Sequence, residues 1–120
     1  MSRLWYQVAF GWLAFGATMH FSIDVLKQHF ISHREFNETT RNFYGMHTSF
    51  AASQMLFALL GFLLLQQAPA VLRHPGYVAL TYIAGAVWLA VTFLFMTYWE
   101  PKLIATLFLG LFTVATLTGR

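Results

Sequence analysis

Four runs of aliphatic and aromatic residues fill this chain, and nearly every ionisable side chain falls in the gaps between them. The runs cover residues 4–26, 43–65, 76–99 and 102–117. A helix rising ~1.5 Å per residue needs roughly 20 residues to cross a ~30 Å hydrocarbon core. Each run is therefore about one crossing, and the fourth, which is short, must stand with little tilt. The expected fold class is all-α: an integral-membrane four-helix up-and-down bundle, one domain over residues 1–120, with both termini on the same side. Charged residues make up 9% of the chain and hydrophobic ones 58%, and the mean hydropathy is +0.60. A soluble domain carries about 25% charged residues, so this chain has too little charge to cover a water-facing surface.

Four crossings in 120 residues leave no room for an extramembrane domain, so any function must lie in the bundle or its short loops. The net charge of +3 comes from seven scattered cations. They form no stripe or cluster, which argues against nucleic acid as a partner, and Lys and Arg beside spans are ordinary anchors to lipid headgroups. The chain has no cysteine, which removes disulfides, thiol redox chemistry, iron–sulfur clusters and zinc–thiolate sites. Arg3 followed by an apolar stretch with Ala14-Phe15-Gly16 imitates a cleavable signal. The apolar run continues past that point, so it reads as a retained helix.

Alternating crossings divide the polar residues between two faces. Side A receives Arg3, Arg73, His74 and Arg120. Side B receives all four acids (Asp24, Glu35, Glu38, Glu100), the cations Lys27, Arg34, Arg41 and Lys102, and His20, His29, His33 and His47. Three Lys or Arg on one side against four on the other do not fix the orientation; net charge leans toward side A being cytoplasmic. Pro69 and Pro75 punctuate the loop on side A, Pro101 starts the fourth helix after a very tight turn, and Thr39, Thr40 or Asn42 are expected to cap the second helix. Asn37-Glu38-Thr39 is a formal glycosylation sequon.

The chemistry gathers at side B. His20 and Asp24 lie four apart on one helical face, which continues upstream through Gly16, Leu13 and Ala9. In the second helix Tyr44, His47, Ala51, Gln54, Ala58 and Gly61 step by three and four, a seam that begins polar and ends small, as close helix packing requires. Tyr98, Trp99, Glu100 and Lys102 arrive at the same depth. Ionisable groups within a span cost several kcal/mol unless paired or wet. The candidate ligand-binding set is therefore His20, Asp24, Tyr44, His47, Gln54, Tyr98 and Glu100. End-of-helix pairing, Asp24 with Lys27 or Glu100 with Lys102, is the plainer explanation for the two acids.

Three chemistries fit such a pocket. The cofactor is not named by the sequence, but haem b is one possibility, with His20 and His47 as axial metal ligands and Gly16, Gly45 and Ala51 leaving room for the macrocycle. A zinc-type site from His29-x-x-x-His33, helped by Glu35, Asp24 or His20, is another. The third is acid–base catalysis, with His20 and Asp24 as base and orienter and His47 or Tyr44 as acid, on a sterol-like or isoprenoid compound. The hydroxyls of the second and fourth helices read as helix glue, Ser49-x-x-x-Ser53 and Ala86-x-x-x-Ala90 as packing faces, and the aromatics as lipid-facing.

In size and span count the chain resembles the small multidrug-resistance exporters. They depend on a carboxylate in the middle of the first helix, where this chain has Ala9-Phe10-Gly11-Trp12-Leu13-Ala14, and Asp24 lies too near the end to serve. A histidine near the end of the first helix, with Tyr44-Gly45-Met46-His47-Thr48-Ser49 opening the second, resembles small uncharacterised bacterial four-helix membrane proteins. That resemblance implies a bacterial inner (plasma) membrane and carries no activity with it. The expected role is an accessory or ligand-binding membrane protein that takes haem, quinone, lipid or a partner helix. It would be in contact with membrane lipids and fit for a larger complex or a homodimer. A small membrane enzyme is the alternative.

Overall fold

The computed structural model describes residues 2–118 and is all-α. Helix α1 spans Ser2–Phe21 and runs on without a break into a π-helical segment, Ser22–Ile31. Helix α2 spans Glu38–Gln67, a 3₁₀ turn covers Pro69–Arg73, α3 spans Pro75–Phe95 and α4 spans Glu100–Thr118. All four helical stretches are long and apolar enough to cross a membrane, and the molecule measures 51 × 25 × 20 Å. Arg120, assigned to side A above, lies outside the described residues.

The boundaries follow local chemistry. Asn37, rather than Thr39, Thr40 or Asn42, caps α2: its side-chain oxygen accepts from the Thr40 amide at 2.9 Å. The sequon asparagine is thus engaged in a helix cap. Pro75 sits in the first turn of α3, where its missing N–H costs nothing, and the His74 imidazole accepts from the Gly76 amide at 3.0 Å. The third run stops earlier than its apolarity predicts. Helix α3 ends at Phe95, Met96 is extended, and a short connector reaches α4 in place of a tight Glu100-Pro101 turn. The Lys102 ammonium holds that connector, donating to the carbonyls of Met96 and Tyr98 at 2.9 Å each.

Helix α1 is the central strut, packed against α2 on one side and α4 on the other, with α3 lying on α4. Neighbouring helices run antiparallel. Arg3 donates to the Leu65 carbonyl at one end while His20 meets His47 at the other, and Tyr6 packs on Phe112. The seams read from the sequence are largely the buried ones: Ala9, Leu13, Gly16, His20 and Asp24 on the first helix, and His47, Ala51, Gln54, Ala58 and Gly61 on α2, while Tyr44, which opened the second seam, is only partly buried. Gly61 exists for close approach, because a Cβ there would stand 2.4 Å from the Phe10 ring.

The aromatics divide. Phe10, Phe108 and Phe112 are fully buried and form the interior with Tyr6, Tyr77 and Trp88, whereas Phe15, Phe30, Phe36, Phe93 and Phe95 are exposed. Only part of the set therefore faces outward, because a narrow four-helix interior needs large rings to fill it. Ser53 bridges two helices, donating to the Phe50 carbonyl and accepting from the Trp88 indole. Ala86 and Ala90, a small-residue face suited to packing within the bundle or in a dimer, face outward and so do not pack inside this bundle. Thr113 and Thr116 bond back to the preceding turn, as helix-glue hydroxyls do.

Candidate functional site: a buried histidine–aspartate–histidine cluster

The site forms where α1 widens. His20 closes the α-helical part of the first span, and Asp24 lies in the π segment that follows, whose last turn is closed by the Ser32 amide donating five residues back to Lys27. Wide turns of this kind recur at functional positions. Here Asp24 Oδ2 lies 3.1 Å from His20 Nδ1. Across the seam, His47 Nδ1 lies 2.7 Å from His20 Nε2. From the α3–α4 connector the Tyr98 hydroxyl donates to Asp24 Oδ2 at 2.9 Å.

With an ionised Asp24 and a neutral His20, these contacts are satisfied by one proton arrangement. An ionised carboxylate only accepts, so His20 Nδ1 carries a hydrogen and donates to Asp24. The other nitrogen of neutral His20 must then accept, and His47 Nδ1–H is its donor. The result is a continuous chain, His47 to His20 to Asp24, with Tyr98 closing it from the far side. The three ionisable members are nearly sealed: His20 is 5% exposed, Asp24 8% and His47 1%. Phe43 packs on the His47 ring and Phe50 on the His20 ring, at centroid distances of 4.2 and 5.0 Å. Burial, and then the hydrogen bond and charge of Asp24, hold the Tyr98 phenol well above its ordinary pKa, so it remains a donor.

One edge of the cluster opens into a cleft of about 270 Å³ lined by Met19, His20, Ile23, Asp24, Tyr98, Glu100, Pro101 and Ile104. Glu100 is exposed and reaches the cleft mouth. Its expected partner, Lys102, is occupied with backbone carbonyls. The Asp24–Lys27 pairing is likewise replaced, with His20 and Tyr98 as the partners of Asp24.

Two members of the expected set lie elsewhere. Tyr44 turns away from His47 and packs with His29 and Phe36, in a separate cavity, with its hydroxyl buried and without a partner. Three residues turn a helix 300°, not 360°, and that offset carries it to the next groove. Gln54 shares the seam with His47 and is fully buried, its Nε2 unpartnered. Two turns place it ~10 Å along the axis from His47, beyond the cluster.

The histidines also discriminate between the expected cofactors. Two metal–nitrogen bonds of about 2.0 Å across a haem iron span roughly 4 Å, but His20 and His47 stand 2.7 Å apart in direct contact. Of the residues meant to leave room for the macrocycle, Gly16 is packed against Ile104 and Gly45 faces outward, away from the pair. The pair does not fit a haem held between its rings. His33, with φ +51, lies past the helix end, so His29 and His33 do not share a helical face. Among the described residues, the one grouping with metal-ligand proximity is His20, Asp24 and His47.

Sequence reasoning missed the lining from Met19, Ile23 and Ile104, because apolar residues among apolar residues give no signal. It placed Lys102 at the right depth without its capping role. Taken together, the fold and site define a four-helix bundle of membrane-spanning proportions with a buried His–Asp–His cluster at one end. Comparison of the chain with protein families, curated proteins and solved structures finds no match.

Proposed function

We propose that this is an integral protein of a bacterial inner membrane, with both termini on one side, that binds a lipid-soluble small molecule carrying one polar head. The observation that carries this reading is the cleft beside the cluster: an apolar trough from Met19, Ile23, Pro101 and Ile104 that ends on His20, Asp24 and Tyr98. A quinone- or isoprenoid-like compound laid in it would have its oxygen within reach of the His20–Asp24 pair and the Tyr98 hydroxyl. Its apolar body would continue toward lipid. Sites of this kind are mostly apolar with a few convergent polar groups that fix orientation.

The experiment is native mass spectrometry of the protein in mild detergent, with Asp24→Asn and Tyr98→Phe beside it. Retention of one organic ligand by the wild type and its loss in both variants is the expected result. Equal retention in all three, or none in the wild type, sinks the reading. The same sample is expected to be colourless; a Soret band near ~410 nm that shifts on reduction would restore the haem alternative.

The carboxylate–imidazole contact of Asp24 with His20 favours acid–base catalysis as the second reading, with Tyr98 in the place first given to Tyr44. An enzyme would lose turnover on His20→Ala while still binding its substrate. Service as a subunit of a larger complex, or as a homodimer, is tested by whether the protein copurifies with a partner from mild detergent.

A further inference from the structure

We propose that His20, Asp24 and His47 form a binding site for a divalent first-row transition ion. The proposal stands on these three side chains, whether or not the cleft takes an organic ligand.

The donor set is a ring nitrogen of His20, His47 Nδ1 and an Asp24 carboxylate oxygen, all within 4.8 Å of one another. Bonds of about 2.0–2.1 Å to a tetrahedral ion place its ligands roughly 3.4 Å apart. With Nδ1 as the His20 donor, its 3.1 Å to Asp24 Oδ2 and the 3.8 Å between His47 Nδ1 and the same oxygen bracket that edge. The 2.7 Å contact to His47 is made by the other His20 nitrogen, Nε2, so the two rings must turn for His20 Nδ1 and His47 Nδ1 to face one ion, with one donor atom from each residue already within 4.8 Å of the others. Two imidazoles and a carboxylate suit zinc, iron or cobalt better than magnesium or calcium, which call for oxygen donors throughout.

Three further observations fit a metal. Tyr98 donates to the same Asp24 oxygen at 2.9 Å, the outer-shell hydrogen bond that orients ligating carboxylates. Charge is matched, because Asp24 and Glu100 both border the cleft and the nearby Lys102 ammonium is turned onto backbone carbonyls. Three protein donors also leave a fourth position, and the cleft bordered by His20 and Asp24 provides the way in for water or a ligand, the arrangement of a reactive site rather than a closed structural one.

The test is metal titration of the full-length, untagged protein in detergent after stripping with a chelator. Zn²⁺ is measured by elemental analysis, and Co²⁺ by the visible d–d bands that report tetrahedral nitrogen–oxygen coordination. Wild type is expected to take one equivalent and to show those bands. His20→Ala, Asp24→Asn and His47→Ala should abolish the bands, and Tyr98→Phe should weaken affinity about 10–100-fold. His29→Ala combined with His33→Ala should bind as wild type. Asp24→Asn keeps the shape of the side chain and serves as the folded variant if an alanine exchange fails to fold. Absence of stoichiometric metal in the wild type, or binding that survives His47→Ala, overturns the proposal. Metal uptake by the titration and organic-ligand retention by native mass spectrometry are separate readouts on the same wild-type protein, so failure of one idea is seen independently of the other.

Discussion

Tyr98 is the residue whose role depends most on its surroundings. It sits on an irregular connector, yet its hydroxyl reaches across to the first span and donates to Asp24 Oδ2. Tyr98→Phe should cost about 1.5–3 kcal/mol, the range for a hydrogen bond to a charged group, toward its low end because His20 still serves Asp24. Thermal unfolding in detergent measures this, and an unchanged midpoint would mean the contact is idle. Two glycines give a paired test. Gly61→Ala drives a methyl group into the fully buried Phe10 ring and should destabilise by about 1–3 kcal/mol through overpacking. Gly45→Ala meets open space within a helix and should stabilise by up to ~1 kcal/mol. The opposite ordering of the two midpoints would contradict the packing described.

At the scale of elements, the α3–α4 connector does for the site what a regular helix would not. On the first span the Asp24 carboxylate meets His20 as residues four apart do on one helical face, and it also lies within 3.8 Å of His47. The connector lays Tyr98 over the cluster and is itself fastened by Lys102 to two of its own carbonyls. Lys102→Met keeps the apolar stem and removes both bonds. It should lower stability by about 1–3 kcal/mol. Combined with Tyr98→Phe it should be non-additive, since residues within one hydrogen-bond network couple by about 0.5–3 kcal/mol. A double-mutant cycle that sums within ~0.5 kcal/mol would separate the clamp from the site. Asn37→Ala, distant from the cluster, is expected to lose about 1 kcal/mol as a helix cap, with ligand and metal content unchanged in the assays above.

For the whole molecule, the antiparallel order of the helices has a direct consequence if all four cross the bilayer. Single cysteines at His33 and Trp99 should react with an impermeant maleimide from one side of a sealed vesicle, and a cysteine at Arg73 from the other. The native chain has no cysteine, so the background is clean. Labelling of positions 33 and 73 from the same side would refute the four-span topology. The order of packing matters too. With α1 between α2 and α4, the span that carries His20 and Asp24 is the one surrounded by its neighbours, so the cluster can be buried in so small a protein.

The sequence by itself determined the four helices, their apolar length and the faces they bury. Periodicity is a local property: Ala9, Leu13, Gly16, His20 and Asp24 must share a face in any helix, as must His47, Ala51, Gln54, Ala58 and Gly61. The match in depth between His20 and His47 followed from counting residues inward from one end of the bundle. Tertiary structure alone decided the distances. Whether two imidazoles touch or hold a macrocycle between them depends on how close α1 and α2 pack, and it is Gly16 against Ile104 and Gly61 against Phe10 that let the central helix close on its neighbours. The choice of Tyr98 over Tyr44 turned on helix phase and on where α3 stops. Those are set by packing across helices and by the Lys102 clamp, interactions between residues that local pattern does not relate.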